Sequence, residues 1–472
     1  MLMTKNRAPE ALPATFSAQQ KVAFALIVSI SFLMGISIDL YVPSLPAISH
    51  YYHATMTSIE LGISLYLLGY GLGQIALGIL SDSYGRKKVL VYSSLCFLLS
   101  SLFCVLSDSS SMMNCWRFIQ GVAVAGLASG MRAIIVDLFS GLMLKKMANY
   151  FALSWALGPI IAPGIGSNLS QYFGWQANFY LFSLYGVAIL IICLFLFHES
   201  NHHTTPFSLS TIKHNFVDII SNKKFTLLSI IYGLSYSSVL IFNTAGPYLI
   251  EISLHHTELF YGYLTMFLGL AYFIGTIINR YLIIKFNNEV ILKLGGTLAL
   301  ITALLLWLLV SYLPNIFTLI TPLFLMFICI GLIVPNAIAI TMVIFPTKAG
   351  FATSLCGTIV GLVVFFVTDF IGHIKISALT LSLCYLALFL LLTLIKRALY
   401  HQKNRPSPCT ASPLLDEYRG GRVAWCDVTP TGRSAPPSNH PAARRNERAA
   451  YRPVSSRHPT LHEVIGRVGY AG

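Results

Sequence analysis

Charge is scarce in this sequence: Asp, Glu, Lys and Arg make up only 10% of its 472 residues, while 56% are hydrophobic. A soluble domain of that length needs far more polar surface to cover its core. A water-soluble globule is therefore excluded, and a lipid-embedded chain is expected. Paired cysteines are missing too. Cys96, Cys104, Cys115, Cys193, Cys329, Cys356 and Cys384 stand singly inside apolar blocks, without disulfide-like or metal-like spacing, and read as small packing residues. There is no G-x-x-x-x-G-K-[ST] and no histidine deep inside an apolar block. ATP-driven work thus has no visible site, and no metal and no cofactor is expected. The first apolar block is too long for a signal-peptide core and no small-residue cleavage site follows it, so it reads as a retained span.

What is present is apolar sequence in long blocks, with a mean hydropathy of +0.71 overall. Each block is about 20 residues, the length that crosses a bilayer as a helix. Barrel strands would be about half as long and would alternate strictly. The blocks predict an all-α membrane protein with twelve transmembrane helices, near 22–42, 59–80, 88–106, 113–135, 147–169, 176–197, 226–250, 259–284, 290–312, 316–340, 350–371 and 375–396. The longest loop inside the body divides them six and six. The expected organisation is a cytoplasmic segment 1–21, a six-helix bundle 22–197, a cytoplasmic central loop 198–225, a second six-helix bundle 226–396 and a disordered cytoplasmic tail 397–472. Within the loop, 207–220 is mildly amphipathic and suits the membrane surface.

Lys and Arg mark the side. Lys5, Arg7 and Lys21 precede span 1, and Arg86, Lys87, Lys88, Lys145, Lys146, Lys213, Lys223, Lys224, Lys285, Lys293 and Lys348 fall in even-numbered loops. Lys375, in the last loop, is the exception. By the positive-inside rule both termini are cytoplasmic. The same placement accounts for the body's share of the +14 formal charge without a nucleic-acid partner. The tail is rich in Pro, Ser, Ala and Arg, has no apolar period and cannot bury a core. Equal halves suggest an internal repeat. A trace of it survives: Gly78 and Asp82 end span 2 as Gly275 and Asn279 end span 8.

Four segments carry chemistry. Between spans 2 and 3, GILSDSYGRKKVL offers Gly78 for close helix packing, Asp82 beside a turn at Gly85, and Arg86 and Lys87 as partners for a charge latch. In span 1, Asp39 precedes Pro43 and Pro46, which would end or bend the helix. A carboxyl held in hydrocarbon is a functional candidate by default, here a proton carrier. In span 4, WRFIQG supplies Arg117, whose expected partner is Asp39, in an ion pair that opens on protonation. Arg132 and Asp137, nearer the inner end of span 4, read as interfacial. Span 5 contains ALGPIIAPGIG: Pro159 and Pro163 kink the helix, while Gly158 and Gly166 allow close packing. Tyr41, Trp155, Tyr232, Tyr236 and Asn243 are the candidates for a substrate cavity between the halves.

These segments resemble the major facilitator superfamily: the loop motif G-x-L-x-D-R-x-G-R-[KR], the span-4 motif R-x-x-x-G and an antiporter motif like G-P-x-x-G-G in span 5. Ser83 departs from the first, standing where the family usually has a basic residue. IDLYVPSLPAI, RAIIVDLF, GTIINR, VPNAIAITM and AGFATSLCGT extend the likeness over about residues 22–396. Together they resemble the bicyclomycin/chloramphenicol-resistance (Bcr/CflA) branch of drug:proton antiporters. The resemblance implies two pseudo-symmetric bundles and alternating access. It also implies proton-coupled export of drugs or small amphipathic compounds across the bacterial inner membrane. Ser31 stands where some drug antiporters outside this branch carry a further acid, which leaves Asp39 as the expected principal carrier. The chain is expected to act as a monomer in the lipid bilayer, on a small-molecule substrate and protons, and not as an enzyme. Other readings are a narrow-specificity exporter of a metabolite or siderophore, an uptake symporter, and, weakest, a polytopic membrane enzyme or receptor.

Overall fold

The computed structural model describes residues 16–201, 208–345 and 348–401; the expected tail from residue 402 onward and the segment 1–15 lie outside them. The first half contains α1 (Ala18–Asp39), α2 (Leu45–Tyr51), α3 (Met56–Tyr84), α4 (Arg86–Val105), α5 (Ser110–Leu138), α6 (Gly141–Phe173) and α7 (Gln176–Ile191). After the short α8 (Leu209–Ile220) come α9 (Lys223–Pro247), α10 (Glu258–Lys285), α11 (Asn288–Tyr312), α12 (Ile316–Ile344), α13 (Ala349–Gly372) and α14 (Ala378–His401). All twelve expected spans are present, in order.

Among the described residues, eleven helical segments are long and apolar enough to cross a membrane, with α1 and α2 forming one of them. The twelfth is α6. It has 33 residues, with Pro159 and Pro163 inside it, and its apolar character is diluted by prolines, glycines and polar residues. Starts are set by side-chain caps: Ser17, Thr55, Ser109, Asn222, Thr257 and Asn315 each accept a backbone N–H of the first turn. α1 stops at Asp39, a 3-10 turn over Val42–Ser44 follows, and α2 restarts with Pro46 in its first turn. Proline tolerates that position because no helical N–H is required there.

In the first half α5 packs on α3 and α4, α1 on α6, and α4 on α7; in the second, α12 packs on α10 and α11, and α14 on α9 and α11. The two bundles meet along two seams, α3 against α13 and α6 against α10. α8 lies where the amphipathic stretch was expected, with Ile219 buried and Leu209 and Val217 exposed. Its Asp218 accepts from Lys348 Nζ at 2.7 Å.

Candidate functional site

Asp39 is the last residue of α1 and is 6% exposed. Its Oδ1 accepts a hydrogen bond from Asn243 Nδ2 of α9 at 2.5 Å. The acid therefore reaches across from one bundle to the other. Arg117, expected to pair with it, does something else. Its guanidinium is fully buried and donates to the Ser37 carbonyl at 3.2 Å and to Gln120 Oε1. It also lies 4.2 Å from the Tyr41 ring centre and 4.5 Å from that of Tyr66. Among the described residues no carboxylate lies within ion-pair distance of it.

The reason is helical geometry. Two residues turn a helix by about 200°, so when Ser37 sits over Arg117, Asp39 faces the opposite side, toward α9. The cation is accommodated by π faces and dipoles in place of a counter-charge. Tyr41 belongs to this Arg117 box, its ring tilted against that of Phe179, so that its ring contacts lie within the first bundle. That corrects its placement among the cavity candidates.

The other aromatic candidates do converge. Tyr232 and Tyr236 lie one turn apart on α9. Trp155 of α6 is 6.1 Å from Tyr236 and 6.4 Å from Tyr272 of α10, ring centre to ring centre. Tyr236 is within electrostatic reach of Asp39, Tyr66 and Tyr70. Tyr232 is within reach of Tyr70, Tyr272 and Arg132. Arg132 is thus not merely interfacial: it donates to Gln74 Oε1, and Tyr70 lies within electrostatic reach of it. Tyr66, Tyr70 and Gln74 were missed in the sequence, although their i, i+4, i+8 spacing on α3 puts them on one face.

The α6 motif shapes the seam. A Cβ on Gly158 would lie 2.4 Å from the Gly35 carbonyl carbon, and one on Gly166 only 1.6 Å from Leu40 O. α1 and α6 are therefore in backbone contact on either side of Asp39. On its other face α6 presents the Pro159 and Pro163 carbonyls to Gly269 and Gly262 of α10.

The charge cluster between α3 and α4 is larger than expected. Arg86 pairs with Asp82, and its Nε is 3.1 Å from Asp137 Oδ2 at the end of α5. Glu199, beyond α7, accepts from the backbone N–H groups of Arg86 and Lys87 at 2.9 and 3.0 Å, a carboxylate at the positive end of α4. Gly85 has φ +102°, and a Cβ there would lie 2.5 Å from Glu199 Oε2, so the turn needs glycine twice over. Lys87 Nζ donates to the Leu194 carbonyl at 3.0 Å. Gly78 lies away from this cluster, facing Ser354 of α13.

Comparisons with known proteins agree with this architecture. The chain is 26% identical over 374 residues to the MFS-type transporter YdgK of Bacillus subtilis, covering 78% of this chain and 92% of that protein. It is 26% identical over 300 residues to the bicyclomycin resistance protein homolog of Haemophilus influenzae, covering 61% and 75%. It is 28% identical over 231 residues to the multidrug resistance protein MdtL of Shigella flexneri, covering 49% and 58%. The crystal structure of a D-xylose-proton symporter superposes with a TM-score of 0.68 at 13% identity, covering 80% of this chain and 97% of that one, a likeness of fold. With the Major Facilitator Superfamily model matching residues 27–368, the chain belongs to the major facilitator superfamily.

Proposed function

We propose that the protein is a proton-driven antiporter that exports drug-like or small amphipathic compounds across the bacterial inner membrane by alternating access, with both termini in the cytoplasm. The observation that carries this reading is an ionisable acid buried at the seam of the two bundles and bonded across it. The names of the relatives, bicyclomycin resistance and multidrug resistance, support drug-like cargo.

Coupling follows from the clasp. Asp39 joins Asn243, and around it Ser44 donates to Glu258, Thr57 to the Gly372 carbonyl, and Ser64 pairs with Thr368. These bonds between halves lie from the middle of the bundle to the end opposite the termini, and they must part for the site to open there. An ionised, empty Asp39 holds Asn243 most strongly, because hydrogen bonds to charged groups are the stronger class. A proton on Asp39, or a cargo group bound to it, weakens that hold. Switching is then open to the two loaded forms and closed to the empty one, which is what obligatory exchange requires. Lipid potential adds about 2.3 kcal/mol per charge per 100 mV. In energised cells Asp39→Asn is expected to abolish proton-linked drug export. Undiminished, still proton-coupled export by that variant would refute the assignment.

A further inference from the structure

Among the described residues Arg132 meets no counter-charge. It is half-buried on α5, bonded to the neutral Gln74 and in reach of Tyr70. The nearest acid along its own helix, Asp137, is engaged by Arg86 and by Ser200 Oγ. Among the described residues no carboxylate lies within ion-pair distance of Arg132. A cation set among aromatic rings in a membrane-embedded seam is costly unless something answers its charge. Arg117 solves that problem with enclosing rings; Arg132, half-buried, keeps part of its surface open.

Its position relative to Asp39 can be read from α9. Tyr236 is within electrostatic reach of Asp39 and Tyr232 within reach of Arg132, and four residues of helix rise about 6 Å. α3 repeats the pattern: Tyr66 is the ring beside Arg117 near the Asp39 end, and Tyr70 the ring beside Arg132. The seam between the bundles thus carries an acid toward one end and, toward the other, a guanidinium without an ion-pair partner among the described residues, with aromatic rings between them.

We propose that this seam, when the bundles part, takes dipolar cargo, whose anionic or acceptor end is held by Arg132, Gln74 and Tyr70 and whose cationic or donor end meets Asp39 and Asn243. The proposal rests on the export reading above and names its substrate class. A planar guanidinium suits a carboxylate, which it can grip with two parallel hydrogen bonds, while the rings supply apolar contact for the middle of the molecule.

The test uses the full chain in proteoliposomes with norfloxacin, which carries a carboxylate and an amine, its ethyl ester, its N-acetyl derivative, and ethidium as a lipophilic cation. The parent is expected to export norfloxacin with a lower KM than either capped form. Arg132→Gln is expected to reduce the preference for norfloxacin over its ester by about tenfold, the scale of one lost charged hydrogen bond, with Arg132→Lys restoring part of it. Gln74→Leu, which removes the acceptor that orients the guanidinium, should shift the same ratio in the same direction and serves if Arg132→Gln does not yield monodisperse protein. An unchanged ratio in the variants, or a parent that exports ethidium yet treats the three quinolones alike, overturns the dipolar assignment while leaving export intact. A parent that exports none of the four compounds refutes the export reading and this one together.

Discussion

Removing the clasp partner should uncouple the transporter without removing its proton carrier. Asn243→Ala deletes the one hydrogen bond that Asp39 accepts from the opposite bundle, at 2.5 Å. A hydrogen bond to a charged group contributes about 1.5–3 kcal/mol. If that energy holds the empty, ionised form closed, its loss raises the population or rate of empty switching by about tenfold to a hundredfold. The assay is proton leak into proteoliposomes with an internal pH dye and an imposed pH gradient, without substrate. The variant should leak faster than the parent in that range. The double variant Asp39→Asn/Asn243→Ala should not, because no proton is carried. Equal leak in parent and Asn243→Ala, with exchange retained at the parental rate, would refute the clasp.

Two further outcomes follow from the geometry. Gly158→Ala places a Cβ 2.4 Å from the backbone of Gly35, so α1 and α6 must separate; an overpacked contact costs about 1–3 kcal/mol. The melting temperature in detergent should fall, whereas Gly350→Ala, whose Cβ would meet nothing within 4 Å, should not lower it; equal effects would contradict the packing. The Lys348 ammonium holds the Asp218 carboxyl below the usual carboxylate range. A depressed acid stabilises its contact above its unperturbed value and loses it as pH falls through the lower, folded value. The hydrogen-exchange protection of α8, taken relative to intrinsic exchange at each pH, should therefore stay constant from neutral pH down to the ordinary carboxylate range and fall only below it, and earlier loss would show the pair to be idle.

Much of this protein was legible in its sequence. Hydropathy is a property of residues taken one after another, and about 20 apolar residues in lipid leave the backbone no alternative to a helix. Span number, the six-and-six division, the break after Asp39 and the turn at Gly85 are local consequences of composition, and all were visible. Asp39 stood out because an acid in hydrocarbon is rare.

Which group each of these residues meets was decided only by the packed structure. Asp39 and Arg117 are each other's natural partners on a list of charges, yet helix phase turns one toward Asn243 and the other toward Ser37, Tyr41 and Tyr66. Glu199 caps α4 from more than a hundred residues away in sequence, and Arg132 gains its place only when α3 and α9 bring Tyr70 and Tyr232 beside it. Helix formation depends on neighbours along the chain. Charge partnership depends on the rotation and approach of helices that the chain connects only through long detours.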